Sequence, residues 1–414
     1  MDIIFILGFY IELFLLYKIE KYNWNTIFTP VIILAIPYAI LLPISIICLN
    51  INEGYSFYYP SIVYWNFGLL LFEIPSYVIS RYKNKSYFNK IKVEKHSSGI
   101  NPIYLNCNAL LIALLILRII QISRTGVTVG SDEFGERFAT YGLWGHLNLV
   151  LMIFTIGDII QINKANKNKI KLAVLVILGL TICFLNQVKG WVLIPIIAGI
   201  IVRLKDQPMR LSYKLLILTG IVGISLFILS YFVSLVLLHS NDDNSWFIPF
   251  IIEHIIFYLT SGINGLSQYL SLGYSNDPDT ILEISKMFYP IQILTSMVSA
   301  HDIILPAGLY LDVFYGMTNV KTYFGEVFIN GGLYAGIIII LFNSILCYFL
   351  LLLTYLNKSL LFKIAYGFIG GILAMGWFSS YTNLLNTYEV PIFCIIIYWL
   401  QAIYNKRKSR WSQL

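Results

Sequence analysis

Charge is what this sequence has least of: Asp, Glu, Lys and Arg together make up 12% of its 414 residues, and only 5 residues are His. A soluble domain keeps about a quarter of its residues charged, so this scarcity excludes an ordinary soluble fold. Cysteine is scarce as well. Cys48, Cys107, Cys183, Cys347 and Cys394 lie in or at the ends of apolar runs, with no CxxC pair and no His at ligand spacing. Neither a disulfide framework nor a zinc site is indicated. No phosphate-loop spacing, no G-x-S-x-G elbow and no solenoid repeat occurs, and the two halves lack the symmetry that many secondary transporters show. The start, "MDIIFILGFYIELFLLYKIEK", has neither a basic segment ahead of its apolar core nor an A-x-A site behind it, and reads as a retained first helix.

What is abundant is apolar surface: 58% of residues are hydrophobic, and the mean hydropathy is +0.76. The runs are continuous and do not alternate at period two, which excludes a β-barrel and predicts an all-α polytopic membrane protein. About 30 Å of hydrocarbon needs roughly 20 apolar residues per helix. On that measure spans are expected at 2–17, 27–48, 61–80, 101–122, 143–161, 170–186, 190–202, 215–238, 327–355, 363–380 and 389–404, about eleven transmembrane helices in a single membrane domain covering 1–414.

Alternate loops between these runs hold 22 of the 28 Lys and Arg residues. The positive-inside rule then predicts an outward N-terminus and an inward tail, "NKRKSR". The net charge of +7 is thereby a matter of topology and no nucleic-acid footprint is inferred. Residues 239–326 contain further apolar pieces, but their connection over 262–285 carries "NDPD" and no Lys or Arg. The whole stretch is read as one large external loop with interfacial or re-entrant helices.

Six basic residues remain outside: Arg118, Arg124, Arg137, Lys189, Lys286 and Lys321. Arg118 and Arg124 form a ladder at the outer end of the fourth span. They either snorkel and meet water or hold a phosphate through forked, permanently charged donors. The following loop, 123–142, reads "RTGVTVGSDEFGERFATYG" from Arg124 onward and sets Arg137 beside Asp132, Glu133 and Glu136, for local ion pairing or for an anion. Its glycines permit turns or close approach to a ligand. Lys189, in the tight turn "NQVKG", is a turn residue or an anion contact. In the large loop Glu253 and His254 suit an interfacial stripe or a catalytic pair. Asp277 and Asp279 form a D-x-D, the spacing of metal-dependent sugar transferases, inside a strong turn signal. Lys321 and Glu326 stand five residues apart before the ninth span, as an anion clamp with a general base or as interfacial anchors.

The segment "TNVKTYFGEVFINGGLYAG" resembles the "NVYTxxxxxxxDFGxxG" signature of oligosaccharide repeat unit polymerases, the O-antigen and capsule polymerases of Wzy type. Asn319, Val320, Thr322, Tyr323, Gly331 and Gly336 match it, whereas Lys321 stands where an aromatic is usual and Asn330 with Gly331 where "DFG" is usual. Arg124 and Gly135 fit an Arg-x10-Gly spacing seen in some of these polymerases. The resemblance implies a fold related to the C-type glycosyltransferases (GT-C) and an enzyme of the bacterial inner membrane with its site on the periplasmic face. It would transfer the growing glycan from undecaprenyl pyrophosphate to the non-reducing end of a new lipid-linked unit, without cofactor or metal. A chain-length regulator is a possible partner. Charge developing on the pyrophosphate would fall to Arg118, Arg124, Arg137, Lys189 and Lys321. The acceptor proton would go to Glu326, Glu136, Asp132 or His254. A flippase of the same units, an O-antigen ligase and a metal-dependent transferase using Asp277 and Asp279 stay open as alternatives.

Overall fold

Continuous apolar runs cannot leave their amides unpaired in a lipid solvent, and the helix pairs them within the run itself. The computed structural model describes residues 2–51, 55–83, 102–129, 131–139, 142–162, 168–185, 189–206, 247–274, 309–357 and 359–411. Its helices are α1 (Asp2–Trp24), α2 (Pro30–Ile51), α3 (Ser61–Ser80), α4 (Pro102–Ser123), α5 (Asp132–Ala139), α6 (Gly142–Gln161), α7 (Lys169–Leu185), α8 (Lys189–Lys205), α9 (Phe247–Ser271), α10 (Tyr323–Leu356), α11 (Leu360–Ala374) and α12 (Asn386–Trp411). Two short strands, β1 (Leu311–Val313) and β2 (Gly316–Thr318), pair antiparallel in the register Leu311 with Thr318.

Among the described residues five stretches, within α2, α3, α4, α6 and α10, are long and apolar enough to cross a membrane, and α11 is a shorter apolar helix. The expected span 215–238 lies outside the described residues, as does 275–308 with Asp277, Asp279 and Lys286. Two expectations need correction. The loop 123–142 contains a helix, because Ser131 caps it and Phe134 and Phe138, one turn apart, bury one face. The run expected over 363–380 stops being helical at Ala374, and its last residues form a turn whose carbonyls bond to another part of the chain.

The chain falls into two compact units, each discontinuous in sequence. Unit 1 comprises Met1–Lys85, Asn241–Leu352 and Ile372–Thr387. Its core is aromatic. Tyr38 stacks on Trp65 at 4.0 Å, and Trp65 meets Phe324 edge-on at 5.0 Å. Gly68 lets α10 approach α3, since a Cβ there would lie 2.3 Å from the Phe324 ring. Helix α9 is enclosed in the same way. Gly262 lies against the Trp377 and Phe378 carbonyls and Gly265 against that of Val320, while the Ser267 hydroxyl accepts from the Tyr58 amide at 2.7 Å. Leu266, Tyr269, Leu311 and Ile329 close a small core linking α9, β1 and α10. Small residues that bring backbones close are the usual packing device of helices in lipid.

Unit 2 comprises Ser86–Ser240, Leu353–Gly371 and Tyr388–Leu414. There α6 packs between α7 and α8, and the contacts again fall on glycine: Gly179 on Thr155, Gly199 on Ile159, and Gly371 on the Ile194 carbonyl of α8. The short α5 rests on α4 and α6 through Phe134 and Phe138.

Candidate functional site

In unit 1 the segment 319–336 folds into a cap and a broken helix. Thr322 is fully buried and sits at φ 61, a conformation that strains a β-branched residue. Its hydroxyl accepts from the Gly325 amide at 3.3 Å and its own amide donates to the Phe378 carbonyl at 3.2 Å. The Tyr323 amide donates to the Gly376 carbonyl. The early end of α11 is what frees these two carbonyls. Ten residues beyond Thr322, Gly332 interrupts α10 with φ 64 and ψ −174, a conformation open in practice only to glycine.

Glu326 and Lys321 lie on either side of this cap. The Glu326 carboxylate accepts from the Lys321 amide at 3.1 Å, from the Ser380 amide at 2.8 Å and from the Ser379 hydroxyl at 2.8 Å. The Lys321 ammonium does not pair with it. It donates to the carbonyls of Leu309 at 3.1 Å and Asn319 at 3.2 Å and lies 5.5 Å from the centre of the Tyr269 ring. Only 2% of Lys321 is exposed, and burial pushes its ammonium down from the ordinary lysine value, with the Glu326 charge opposing that shift. Tyr269 also lines a cavity of about 400 Å³, together with Tyr64 and Phe67 of α3, Tyr274, and Phe328, Gly332 and Leu333 at the helix break.

In unit 2 the cationic residues gather around α5. Arg118 donates to the Gln121 side chain at 2.9 Å and to the Arg137 carbonyl at 3.0 Å, and its guanidinium lies 5.1 Å from the centre of Trp144. It therefore caps the C-terminus of α5, where a cation is favoured. Its Nε is buried and unbonded. Arg137 pairs with Glu133 at 2.6 Å across one turn, and both are about half exposed. Arg124 and Glu136 are exposed. Asp132 opens α5 and Lys189 opens α8, and their side chains lie outside the described part. His254 is bound up within α9, with Nδ1 3.1 Å from the Phe250 carbonyl, and Glu253 beside it is exposed. Among the described residues no three His, Cys, Asp or Glu side chains converge.

One pair escaped the sequence reading. His146, near the start of α6, has Nδ1 3.5 Å from Glu389 Oε1 in the first turn of α12, with Phe393 edge-on to the imidazole at 6.2 Å. Half of His146 is exposed. The one available signal was topological, since both residues open spans expected to begin on the same side.

These features define a helical, multi-pass membrane protein with polar clusters at helix ends and at a helix break. Residues 54–407 match the model of a family described as a family of unknown function, DUF6337, and the chain belongs to that family. No curated protein and no solved structure matches it.

Proposed function

We propose that this protein polymerises lipid-linked oligosaccharide repeat units on the outer face of the bacterial inner membrane. In this reading it has eleven spans and an outward N-terminus, and it is related to the C-type glycosyltransferases. The observation that carries the proposal is the segment 319–336. Of the residues that resemble the polymerase signature, Thr322 and Tyr323 form the strained cap, and the same segment holds a carboxylate with three donors, Glu326, and a glycine-only helix break at Gly332 beside an aromatic cavity. Strain kept at a buried β-branched residue is characteristic of functional segments.

In the reaction the bond from the donor sugar C1 to undecaprenyl pyrophosphate breaks and a bond from C1 to the acceptor hydroxyl forms. The acceptor proton passes to a base and the pyrophosphate leaves as an anion. Arg124 and Arg137 offer exposed guanidinium groups to that anion, with Arg118 holding the helix that carries Arg137. Lys189 and Lys321 are the remaining candidates, Lys321 only after exchanging its carbonyl partners. Glu326, whose carboxylate accepts from three donors, stays a candidate base alongside Glu136, Asp132 and His254. His146 joins them, because Glu389 orients one ring nitrogen and leaves the other free to accept a proton.

Deleting the gene and resolving the surface glycan on a gel tests the reading. Loss of the ladder with a single repeat unit still on its acceptor is the expected result. Complete loss of glycan favours the second reading, a flippase of the same units, for which two carboxylates buried together in unit 1, Glu20 and Glu73, are the favouring observation. Complete loss is also what an O-antigen ligase would give.

A further inference from the structure

Towards the far end of α10 from the strained cap, unit 1 contains a second polar set. The Trp24 indole donates to the Ser76 hydroxyl at 2.9 Å, and that hydroxyl donates to Glu20 Oε1. The Tyr348 hydroxyl donates to Glu73 Oε2 at 3.4 Å. Each carboxylate thus has one oxygen with a hydroxyl donor. The other oxygen of each, Glu20 Oε2 and Glu73 Oε1, is buried without one. Glu20 is 0% and Glu73 9% exposed, and the Ser76 hydroxyl that donates to Glu20 stands one helical turn from Glu73 on α3.

Among the described residues no Lys, Arg or His pairs with either acid. The basic residues at the same helix ends are engaged elsewhere: Lys21 lies 5.7 Å from the Tyr17 ring and Lys83 donates to the Asn23 carbonyl. From the residue just before α2, the Thr29 hydroxyl faces Glu20. It is 0% exposed and makes no full hydrogen bond of its own. Among the described residues Ser76 of α3, Thr29 just before α2 and Tyr348 of α10 face the pair, and all of them are neutral. Two anionic carboxylates facing each other in a medium of low dielectric repel one another, whereas one proton between them converts the repulsion into a hydrogen bond.

We propose that Glu20 and Glu73 form a proton-binding site, in which one exchangeable proton bridges Glu20 Oε2 and Glu73 Oε1 while the Ser76, Thr29 and Tyr348 hydroxyls solvate the remaining charge. Loading takes the pair from a charge of minus two to minus one, and the proton comes from and returns to water at the ends of α1 and α3. The site is independent of the polymerase reading and stands or falls separately from it.

The test uses the full chain in lipid nanodiscs, with infrared difference spectra recorded across a pH titration. A protonated carboxyl stretch that fades as pH rises and is lost in both Glu20→Gln and Glu73→Gln is the expected result. Glutamine keeps the size and a hydrogen-bonding oxygen, so both variants retain the packing. Ser76→Ala, which leaves both acids, shifts the stretch in frequency without removing it. The thermal midpoint of the wild type falls as pH rises through the same titration, because the folded state then holds two facing anions, and Glu73→Gln removes that fall. A stretch that persists in both glutamine variants overturns the proposal. So does a midpoint at high pH that sodium restores in the wild type and not in Glu73→Gln, which would make the ligand a metal cation.

Discussion

At the residue scale, the cap around Thr322 shows how a polar group is held among apolar ones. Glu326 accepts from two amides and a hydroxyl, so Glu326→Gln turns its amide nitrogen towards a backbone N–H, of Lys321 or Ser380, that can only donate. A loss of about 1–3 kcal/mol is expected, read as a lower thermal midpoint of the purified protein. Lys321 carries its own pH signature. Its depressed proton affinity means that the unfolded chain binds this proton more tightly than the folded one, so stability rises with pH from the depressed value up to the free-lysine value of about 10.4. Compared with Lys321→Met, the wild type should therefore gain stability as pH is raised through that window, in paired chemical-denaturation curves. The Glu133–Arg137 pair is half exposed, and removing it costs less than about 1 kcal/mol. If Arg137 meets the pyrophosphate, Arg137→Ala nevertheless abolishes the glycan ladder at near-normal protein abundance.

Helices came off the sequence readily where the apolar run was long, and poorly where tertiary contact decided the matter. Helix α5 spans only eight residues, so it stands out by no long apolar run and is held by the burial of Phe134 and Phe138. The end of α11 was invisible for the opposite reason. Trp377 and Phe378 prolong the apolar run, but their carbonyls lie against Gly262 of α9, and a helix cannot continue through that contact. Gly262→Ala and Gly265→Ala would each put a methyl within 2.3 Å of a backbone carbonyl oxygen, at Phe378 and Val320 respectively. Each should lower stability by about 1–3 kcal/mol in thermal unfolding, the range found for overpacked cores. Gly8→Ala, with nothing within 4 Å, should leave the midpoint unchanged or raise it slightly. The Glu326–Ser380 bond and the His146–Glu389 pair join residues far apart in the chain, and no local pattern announces either.

For the whole molecule, composition alone was enough to establish a helical membrane protein, because a chain this apolar has few other ways to satisfy its backbone. The division into two units was not legible, since each draws on segments from widely separated parts of the chain. The inferred topology is open to direct test in a chain whose own cysteines are replaced. A cysteine at the exposed Thr128 should react with a membrane-impermeant maleimide applied from the periplasmic side, and one at the exposed Asp206 only after the inner membrane is opened. The reverse pattern would invert the orientation and remove Arg124 and Arg137 from the face on which the proposed chemistry occurs.

The interruption at Gly332 also bears on how the chain fits the bilayer. An unbroken helix of 34 residues would be about 51 Å long, some 20 Å more than the hydrocarbon it has to cross. With the interruption, residues 333–356 account for about 36 Å, a thickness that moderate tilt accommodates, and the leading turns are released from the crossing direction. Filling that position with any side chain would thus do more than strain one peptide: it would set the length of the apolar segment against the thickness of the membrane.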